Sequence, residues 1–152
     1  MSSVASLCVF RKVVEASKRK VGVMNKVFIA PRRYVQGAGT LGEAGSLVSA
    51  IGKKAAILWD ATVKGIVGET LMTSLKEAGV EIVDVDFKGD STKGEAERVA
   101  KILADEGADV AIAVGGGKTL DTVKAAAATA GTKVVTIPTI ASNDSPTSSF
   151  TV

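Results

Sequence analysis

The chain has 152 residues, of which 46% are apolar, 23% charged and 4% aromatic, a balance typical of one globular domain with a real core. Its single cysteine, Cys8, excludes an internal disulfide, and the absence of histidine removes the commonest zinc ligand and general base. The longest apolar runs fall far short of the roughly 18 residues that a membrane span needs, so we expect no membrane segment.

The net charge of +3 is unevenly distributed along the chain. Residues 1–23 hold five basic side chains and one acidic one, so residues 24–152 hold 14 basic and 15 acidic ones. The body of the protein is therefore nearly neutral and lacks the basic stripe that nucleic-acid binding requires. We expect no nucleic-acid partner.

The first 23 residues, MSSVASLCVFRKVVEASKRKVGV, are basic and poor in acidic residues, a composition compatible with an amphipathic helix. Two interpretations stay open: an extension upstream of a natural start at Met24, which we favour, or an organelle transit peptide. We therefore place the domain at residues 24–152. Because one cysteine suits a reducing compartment, we expect a cytoplasmic protein, with organelle targeting as the alternative.

Strand-like runs follow in chain order. In MNKVFIAPRRYVQG, Val27–Ala30 and Arg33–Gln36 are strand-like on either side of Pro31. Four later runs are β-branched or almost wholly apolar, as strands buried on both faces must be: Ala55–Trp59, Glu81–Phe87, Val110–Val114 and Val134–Ile137. A glycine precedes each of these four, where a helix would end in the left-handed conformation: Gly52, Gly79, Gly107 and Gly131.

Helix-like segments fill the intervals between these strands. Thr40 with Glu43, and Thr92 with Glu95, have the spacing of capping boxes and predict two helix starts. The alternation of helices and strands predicts right-handed crossovers and an α/β fold, a Rossmann-like parallel sheet with helices on both faces. Ligands of such sheets bind at the carboxyl ends of the strands.

The run AIAVGGGKTLDTVKAAAA places three glycines, Gly115–Gly117, directly after a predicted strand, and Lys118 then opens a helix. Glycines let a phosphate approach the backbone amides, and the helix N-terminus adds a positive partial charge. A tight turn without a ligand is the alternative. The P-loop motif is excluded because its earlier glycine would fall at Ile112, and G-x-G-x-x-G is excluded because its last glycine would fall at Leu120.

Two other strand ends carry polar groups. Asp60 follows the apolar strand AILWD, where a carboxylate can accept hydrogen bonds from ribose hydroxyls or can cap the next helix. The position of Asp60 in the sequence leaves both roles open. The segment PTIASNDSPTSSF, residues 138–150, is dense in small hydroxyl residues and suits either a phosphate or polyol site or a solvated loop.

Taken together, these strand ends resemble the N-terminal domain of the iron-containing (group III) alcohol dehydrogenase family, and within it the glycerol dehydrogenases. The residues that carry the resemblance are PRRYVQGAGTL, LWD at 58–60, GGGKTLDTVK at 115–124 and PTIASNDSP at 138–146. It extends from about Met24 to the last residue. The resemblance implies a dehydroquinate synthase-like N-terminal domain and NAD-dependent oxidation of glycerol, or a related polyol, to dihydroxyacetone.

The resemblance also implies roles for individual residues. Asp60 is expected to bind the adenosine ribose, and Asp144 is expected to lie near the substrate. The other expected contacts are all with NAD: Gly115, Gly116, Gly117, Lys118 and Thr119 at the diphosphate, and Thr139, Ile140, Ala141, Ser142, Ser148 and Phe150 along the cofactor.

In the family, a second, all-helical domain supplies the catalytic zinc or iron through an aspartate and two histidines. This chain has no histidine, and its candidate metal ligands are the carboxylates of Asp121 and Asp144. The charge of Asp121 can instead favour the helix start, and Asp144 alone supplies too few ligands for a tight metal site. We therefore assign no catalytic and no metal residue. We expect the chain alone, as a fragment or a truncated product, to be inactive.

Three interpretations of function remain at this point. The first is a dehydrogenase represented by its cofactor-binding domain, acting on a small-molecule polyol. The second is a stand-alone nucleotide-binding pseudoenzyme module without catalysis. The third is a structural α/β domain that forms a homo-oligomer or pairs with a separate helical domain.

Overall fold

The computed structural model describes the backbone of residues 4–10 and all of residues 32–140 and 145–148. These residues form six strands and four α-helices, and the predicted alternation of helices and strands from residue 40 onward is confirmed. The strands are β1 Val4–Phe10, β2 Arg33–Ala38, β3 Lys54–Trp59, β4 Glu81–Asp86, β5 Val110–Gly115 and β6 Lys133–Pro138. The helices are α1 Ala44–Ser49, α2 Ala61–Glu77, α3 Lys93–Asp105 and α4 Gly117–Ala130.

The strands form one sheet in the order β2-β1-β6-β5-β3-β4. Strands β6, β5, β3 and β4 are parallel, as predicted, whereas β1 is antiparallel to both of its neighbours, β6 and β2. The N-terminal segment differs from the expectation of a helical extension, because Val4–Phe10 is a strand inside the sheet. The predicted strand Val27–Ala30 lies outside the described residues.

Helices cover both faces of β3, β5 and β6, which explains why those strands are so apolar. The expectation that β4 is buried on both faces was wrong, because β4 lies at the edge of the sheet and exposes Glu81, Asp84 and Asp86. Along β3, Ile57 and Trp59 pack on the layer of α1 and α2, whereas Ala56 and Leu58 pack on the layer of α3 and α4. All six residues of β5 are buried. The described helices include none that is both long and apolar enough to cross a bilayer.

Helix α1 approaches α2 very closely at Gly45. The amide of Gly45 donates to the hydroxyl of buried Ser74 at 2.9 Å, and that hydroxyl donates to the carbonyl of Gly42 at 2.6 Å. A Cβ atom at Gly45 would lie only 1.9 Å from the Ser74 carbonyl oxygen. The contact therefore depends on glycine, because no side chain fits between the two backbones.

Two local predictions were wrong. The capping box at Thr40 is absent: residues Thr40–Glu43 form a 3-10 turn, and the Thr40 hydroxyl donates back to the Gly37 carbonyl at 2.9 Å. The helix proper begins only at Ala44. Gly79, Gly107 and Gly131 have the predicted left-handed φ, but Gly52 does not; a Cβ there would meet Val110 at 2.5 Å, so close packing requires this glycine.

The start of α3 is fixed by charge as well as by its cap. Thr92 accepts from the Glu95 amide at 3.2 Å, which confirms it as the N-cap. The carboxylate of Glu95 is buried; it accepts two bonds from Arg98, at 2.7 and 2.8 Å, and one from the Lys88 amide at 3.1 Å. The pair with Arg98 holds the pKa of Glu95 below its ordinary value, although burial opposes this shift. These bonds fasten the β4–α3 loop to the helix.

The close approach of α1 and α2 predicts that Gly45→Ala lowers the free energy of unfolding by about 3 kcal/mol, since the two backbones must separate. Urea denaturation measures the change. Gly65→Ala in α2 is the matched control, because open space surrounds its position and the substitution should raise stability by about 1 kcal/mol. Equal effects of the two substitutions would contradict the packing argument.

The pKa of Glu95 predicts an acid dependence of stability. A carboxyl whose pKa is lowered on folding stabilises the protein fully above its unfolded value of 4.5, and this contribution is lost as the pH falls through the folded value. Glu95→Gln should therefore cost about 1–2 kcal/mol of unfolding free energy at neutral pH and less at about pH 3. Glu97→Gln, in the exposed pair with Lys93, should cost little at either pH. A cost of Glu95→Gln that does not change with pH would contradict the assignment.

Candidate functional site

The carboxyl ends of three neighbouring strands meet at one edge of the sheet. Strand β5 lies between β6 and β3, and it ends at Gly115. Gly115 pairs with Pro138, the last residue of β6, and the Thr139 amide donates to the Gly115 carbonyl at 3.0 Å. Asp60 follows directly after the end of β3. The fold thus brings together three of the regions that the sequence predicted to bind a cofactor.

The turn from β5 into α4 requires glycine. Gly115 has φ +154°, and a Cβ there would lie 2.8 Å from the hydroxyl oxygen of Thr119, whose side chain is buried. Gly116 is the extended N-cap residue and caps the helix with no side chain, while Gly117 is the first residue of α4. Backbone amides at the start of α4 thus face this edge without a side-chain cap, as an anion site requires.

Lys118 adds a cation to this turn. Its ammonium group pairs with Asp90 of the β4–α3 loop at 2.8 Å, and both side chains are about two-thirds exposed. The hydrogen bond and the positive charge of Lys118 hold the pKa of Asp90 below its ordinary value. Sequence analysis missed Asp90, since no local pattern joins it to a helix that begins 27 residues later.

Asp60 is the N-cap of α2. Its Oδ1 accepts from the Val63 amide at 2.8 Å, which confirms the capping alternative. The strand end before it is fixed by buried Trp59, whose indole donates to Asp84 at 2.7 Å while Lys64 pairs with the same carboxylate. The cap uses one of the two carboxylate oxygens. It is therefore compatible with the predicted contact between Asp60 and the adenosine ribose, which stays a prediction.

The segment after β6 begins beside the glycine turn. Ile140 is 54% exposed, and its Cδ1 lies 3.5 Å from the point that a Cβ at Gly116 would occupy. Four residues of this segment with predicted site roles lie outside the described residues: Ala141, Ser142, Asp144 and Phe150. Ser148 is described, and both its carbonyl and its hydroxyl accept from Lys124 at 3.2 Å.

Asp121 and Lys124 of α4 hold the returning part of this segment. The Lys124 ammonium group pairs with Asp121 at 2.8 Å and donates to the Ser145 carbonyl at 2.9 Å. The Ser145 hydroxyl donates to both carboxylate oxygens of Asp121, at 3.0 and 3.1 Å. Asp121 thus makes a tertiary contact, beyond the predicted role at the helix start. The spacing of the two charges on α4 is visible in the sequence, but their partner loop is not.

The arrangement suits the diphosphate of a dinucleotide. The glycine turn has no room for a Cβ at Gly115, an uncapped helix start and one exposed lysine, the three features that an anion site uses. The described residues do not form a comparable site for a metal ion, because no three carboxylate or thiol side chains among them lie close enough together to serve as ligands. We therefore derive no chemical step through a metal from these residues.

A sequence model of the family described as iron-containing alcohol dehydrogenase matches residues 31–152. The chain is 42% identical over 129 residues to the glycolaldehyde reductase of Halobacterium salinarum, and 35% identical over 129 residues to a glycerol dehydrogenase of Pseudomonas putida. Each alignment covers 85% of this chain and 35% of the relative. The chain therefore spans about a third of the length of these relatives.

Solved structures agree with this match. The fold is similar to that of a probable glycerol dehydrogenase from Sinorhizobium meliloti, with a TM-score of 0.67 and 34% identity over 76% of this chain and 30% of that one. The glycerol dehydrogenase of Schizosaccharomyces pombe is similar with a TM-score of 0.65 and 29% identity, over 71% of this chain and 27% of its own. Since the family model also covers most of the sequence, the chain belongs to the iron-containing alcohol dehydrogenase family.

Proposed function

We propose that the chain is the NAD-binding domain of a polyol dehydrogenase that oxidises glycerol to dihydroxyacetone. The observation that carries the proposal is the glycine turn, where Gly115 leaves no space for a side chain beside the start of α4. Family membership supports the reaction class, and relatives that carry the name glycerol dehydrogenase support the substrate.

The order of the strands suggests how NAD lies across the domain. Its diphosphate would rest on the turn after β5, with Lys118 beside it, at the centre of the site. Asp60, at the end of neighbouring β3, would accept hydrogen bonds from the adenosine ribose. The other half of the cofactor would then extend toward β6 and the segment that begins at Thr139.

NAD, when bound, supplies the acceptor for the hydride that leaves the alcohol carbon. The residues of this domain bind and orient the cofactor. The family resemblance assigns activation of the alcohol to zinc or iron held by a helical region, and we propose that such a region packs against this domain. The 152-residue polypeptide would then bind NAD weakly and would not oxidise glycerol by itself. A stand-alone nucleotide-binding module is the alternative, and no specific observation favours it.

The proposal predicts that Gly115→Ala lowers the affinity for NAD by about tenfold or more, because the new Cβ pushes against Thr119 and displaces the amides of the turn. Isothermal titration calorimetry on the 152-residue chain, with NAD at millimolar concentration, measures the effect.

Gly131→Ala is the matched control for this experiment. Gly131 lies at the other end of α4, also has a positive φ, and has open space around it. Both substitutions should cost about 1–2 kcal/mol of stability through backbone strain, to which Gly115→Ala adds the contact with Thr119, but only Gly115→Ala should weaken NAD binding. No binding of NAD by the unmodified chain would overturn the proposed function.

The position of Asp60 predicts a preference for NAD over NADP, since its carboxylate would repel a 2′-phosphate. Asp60→Asn should narrow this preference by about tenfold, because it removes the charge. Asparagine caps a helix about as well as aspartate, so the melting temperature should barely change. Titration of both cofactors measures the ratio.

Asp109→Asn serves as the control for Asp60→Asn. Asp109 also accepts backbone hydrogen bonds, from the amides of Lys53 and Lys54 at 2.8 and 3.0 Å. Asp109 and these two amides lie at the amino ends of the strands, away from the candidate site at the carboxyl ends. Its substitution should leave the ratio of the two affinities unchanged. If Asp60→Asn leaves the ratio of the affinities for NAD and NADP unchanged, Asp60 acts only as a helix cap.

A further inference from the structure

The ammonium group of Lys118 beside the glycine turn is already paired with a carboxylate. Asp90 of the β4–α3 loop lies 2.8 Å from it, and both side chains are about two-thirds exposed. The hydrogen bond from Lys118 and its positive charge hold the pKa of Asp90 below its ordinary value, so Asp90 is ionised at neutral pH. A ligand that approaches the start of α4 therefore meets a negative charge as well as a positive one.

Contacts on both sides of Asp90 fix the loop that carries it. The hydroxyl of Ser91 shares a hydrogen bond of 3.0 Å with the hydroxyl of Thr122, a buried residue of α4. Two residues before Asp90, the Lys88 amide donates to the buried carboxylate of Glu95 at 3.1 Å. The backbone at Asp90 is therefore held beside the first turns of α4, and rotation of its own side chain is the movement left to it.

Nucleotides differ in the charge that they would bring to this place. Each phosphate of NAD is esterified on both sides and carries a single negative charge. The terminal phosphate of ADP has a free end, and it gains a second negative charge at neutral pH because its second pKa is about 6. ADP and NAD share the adenosine and the first phosphate, so the second phosphate is where their charges differ.

We propose that Asp90 is a specificity-determining residue, which favours the diphosphate diester of NAD over nucleotides that end in a free phosphate. Lys118 attracts the diphosphate of either ligand, whereas Asp90 repels the additional charge of a terminal phosphate. Discrimination between similar ligands commonly combines an attractive and a repulsive group in this way. The inference rests on the proposed function, because it presupposes that a diphosphate binds at the glycine turn.

Asp90→Asn tests the proposal by isothermal titration calorimetry, with NAD and ADP titrated separately against the 152-residue chain without divalent cations. Asparagine keeps the size of the side chain and can still accept a hydrogen bond from Lys118, but it has no charge. The ratio of the two dissociation constants should shift about fivefold in favour of ADP, as expected when one unit charge is removed a few ångströms from another. In about 1 M salt the shift should shrink, because the Debye length falls to about 3 Å.

Two matched variants isolate the charge of Asp90. Asp90→Glu keeps the negative charge, so it should leave the ratio of the two constants within about twofold of that of the unmodified chain. Glu97→Gln removes one negative charge from another exposed pair, that with Lys93 on α3. It should leave the ratio unchanged, since net charge alone does not distinguish the two ligands at this turn.

Stability measurements separate this role from a structural one. The pair of Asp90 with Lys118 is exposed, so Asp90→Asn should barely change the melting temperature. A purely structural role of Asp90 would lower the melting temperature and would change the affinities for NAD and ADP by the same factor.

The outcomes also distinguish this inference from the proposed function. If the unmodified chain binds NAD but Asp90→Asn gains no affinity for ADP relative to NAD, the role of Asp90 is wrong and the proposed function stands. A shift of the ratio in Glu97→Gln as large as that in Asp90→Asn would also overturn the role of Asp90. If the unmodified chain binds neither NAD nor ADP, the proposed function fails and the inference fails with it.

Discussion

The structure depends on the burial of β5 on both faces. All six of its residues are shielded, so helices must pack above and below it, and the apolar layers of α1 with α2 and of α3 with α4 follow from that requirement. A strand covered in this way leaves only its ends accessible. The carboxyl end is Gly115, where the chain turns into α4, and the candidate site could not lie on the faces of this sheet.

Helix α4 contacts two loops of the candidate site. Its first residues form the glycine turn, and its second turn carries the Asp121–Lys124 pair that holds residues 145–148. The cost of burying a lysine is offset only by multiple hydrogen bonds, and Lys124 has them to its own helix and to Ser145 and Ser148. One helix therefore holds two loops that are separated along the sequence.

Membership of the iron-containing alcohol dehydrogenase family and the geometry of the strand ends support the same assignment at different levels. Membership supports the proposed reaction class, whereas the geometry of the strand ends supports the proposed place of the cofactor. The paired charges Lys118 and Asp90 extend that place onto the β4–α3 loop, which the buried Glu95–Arg98 pair in turn fixes. The described part of each loop at the candidate site is thus held by at least one polar contact.

The sequence by itself determined the four parallel strands, the helices between them and the glycine turn, because burial and backbone conformation leave local patterns. It left open whether Asp60 caps a helix. It did not show that Thr40 bonds backward to Gly37 or that Val4–Phe10 enters the sheet between β2 and β6. The partners of Lys118 and Lys124 were equally hidden. Each of these outcomes depends on groups far apart in the chain, and only the tertiary structure brings such groups within hydrogen-bonding distance.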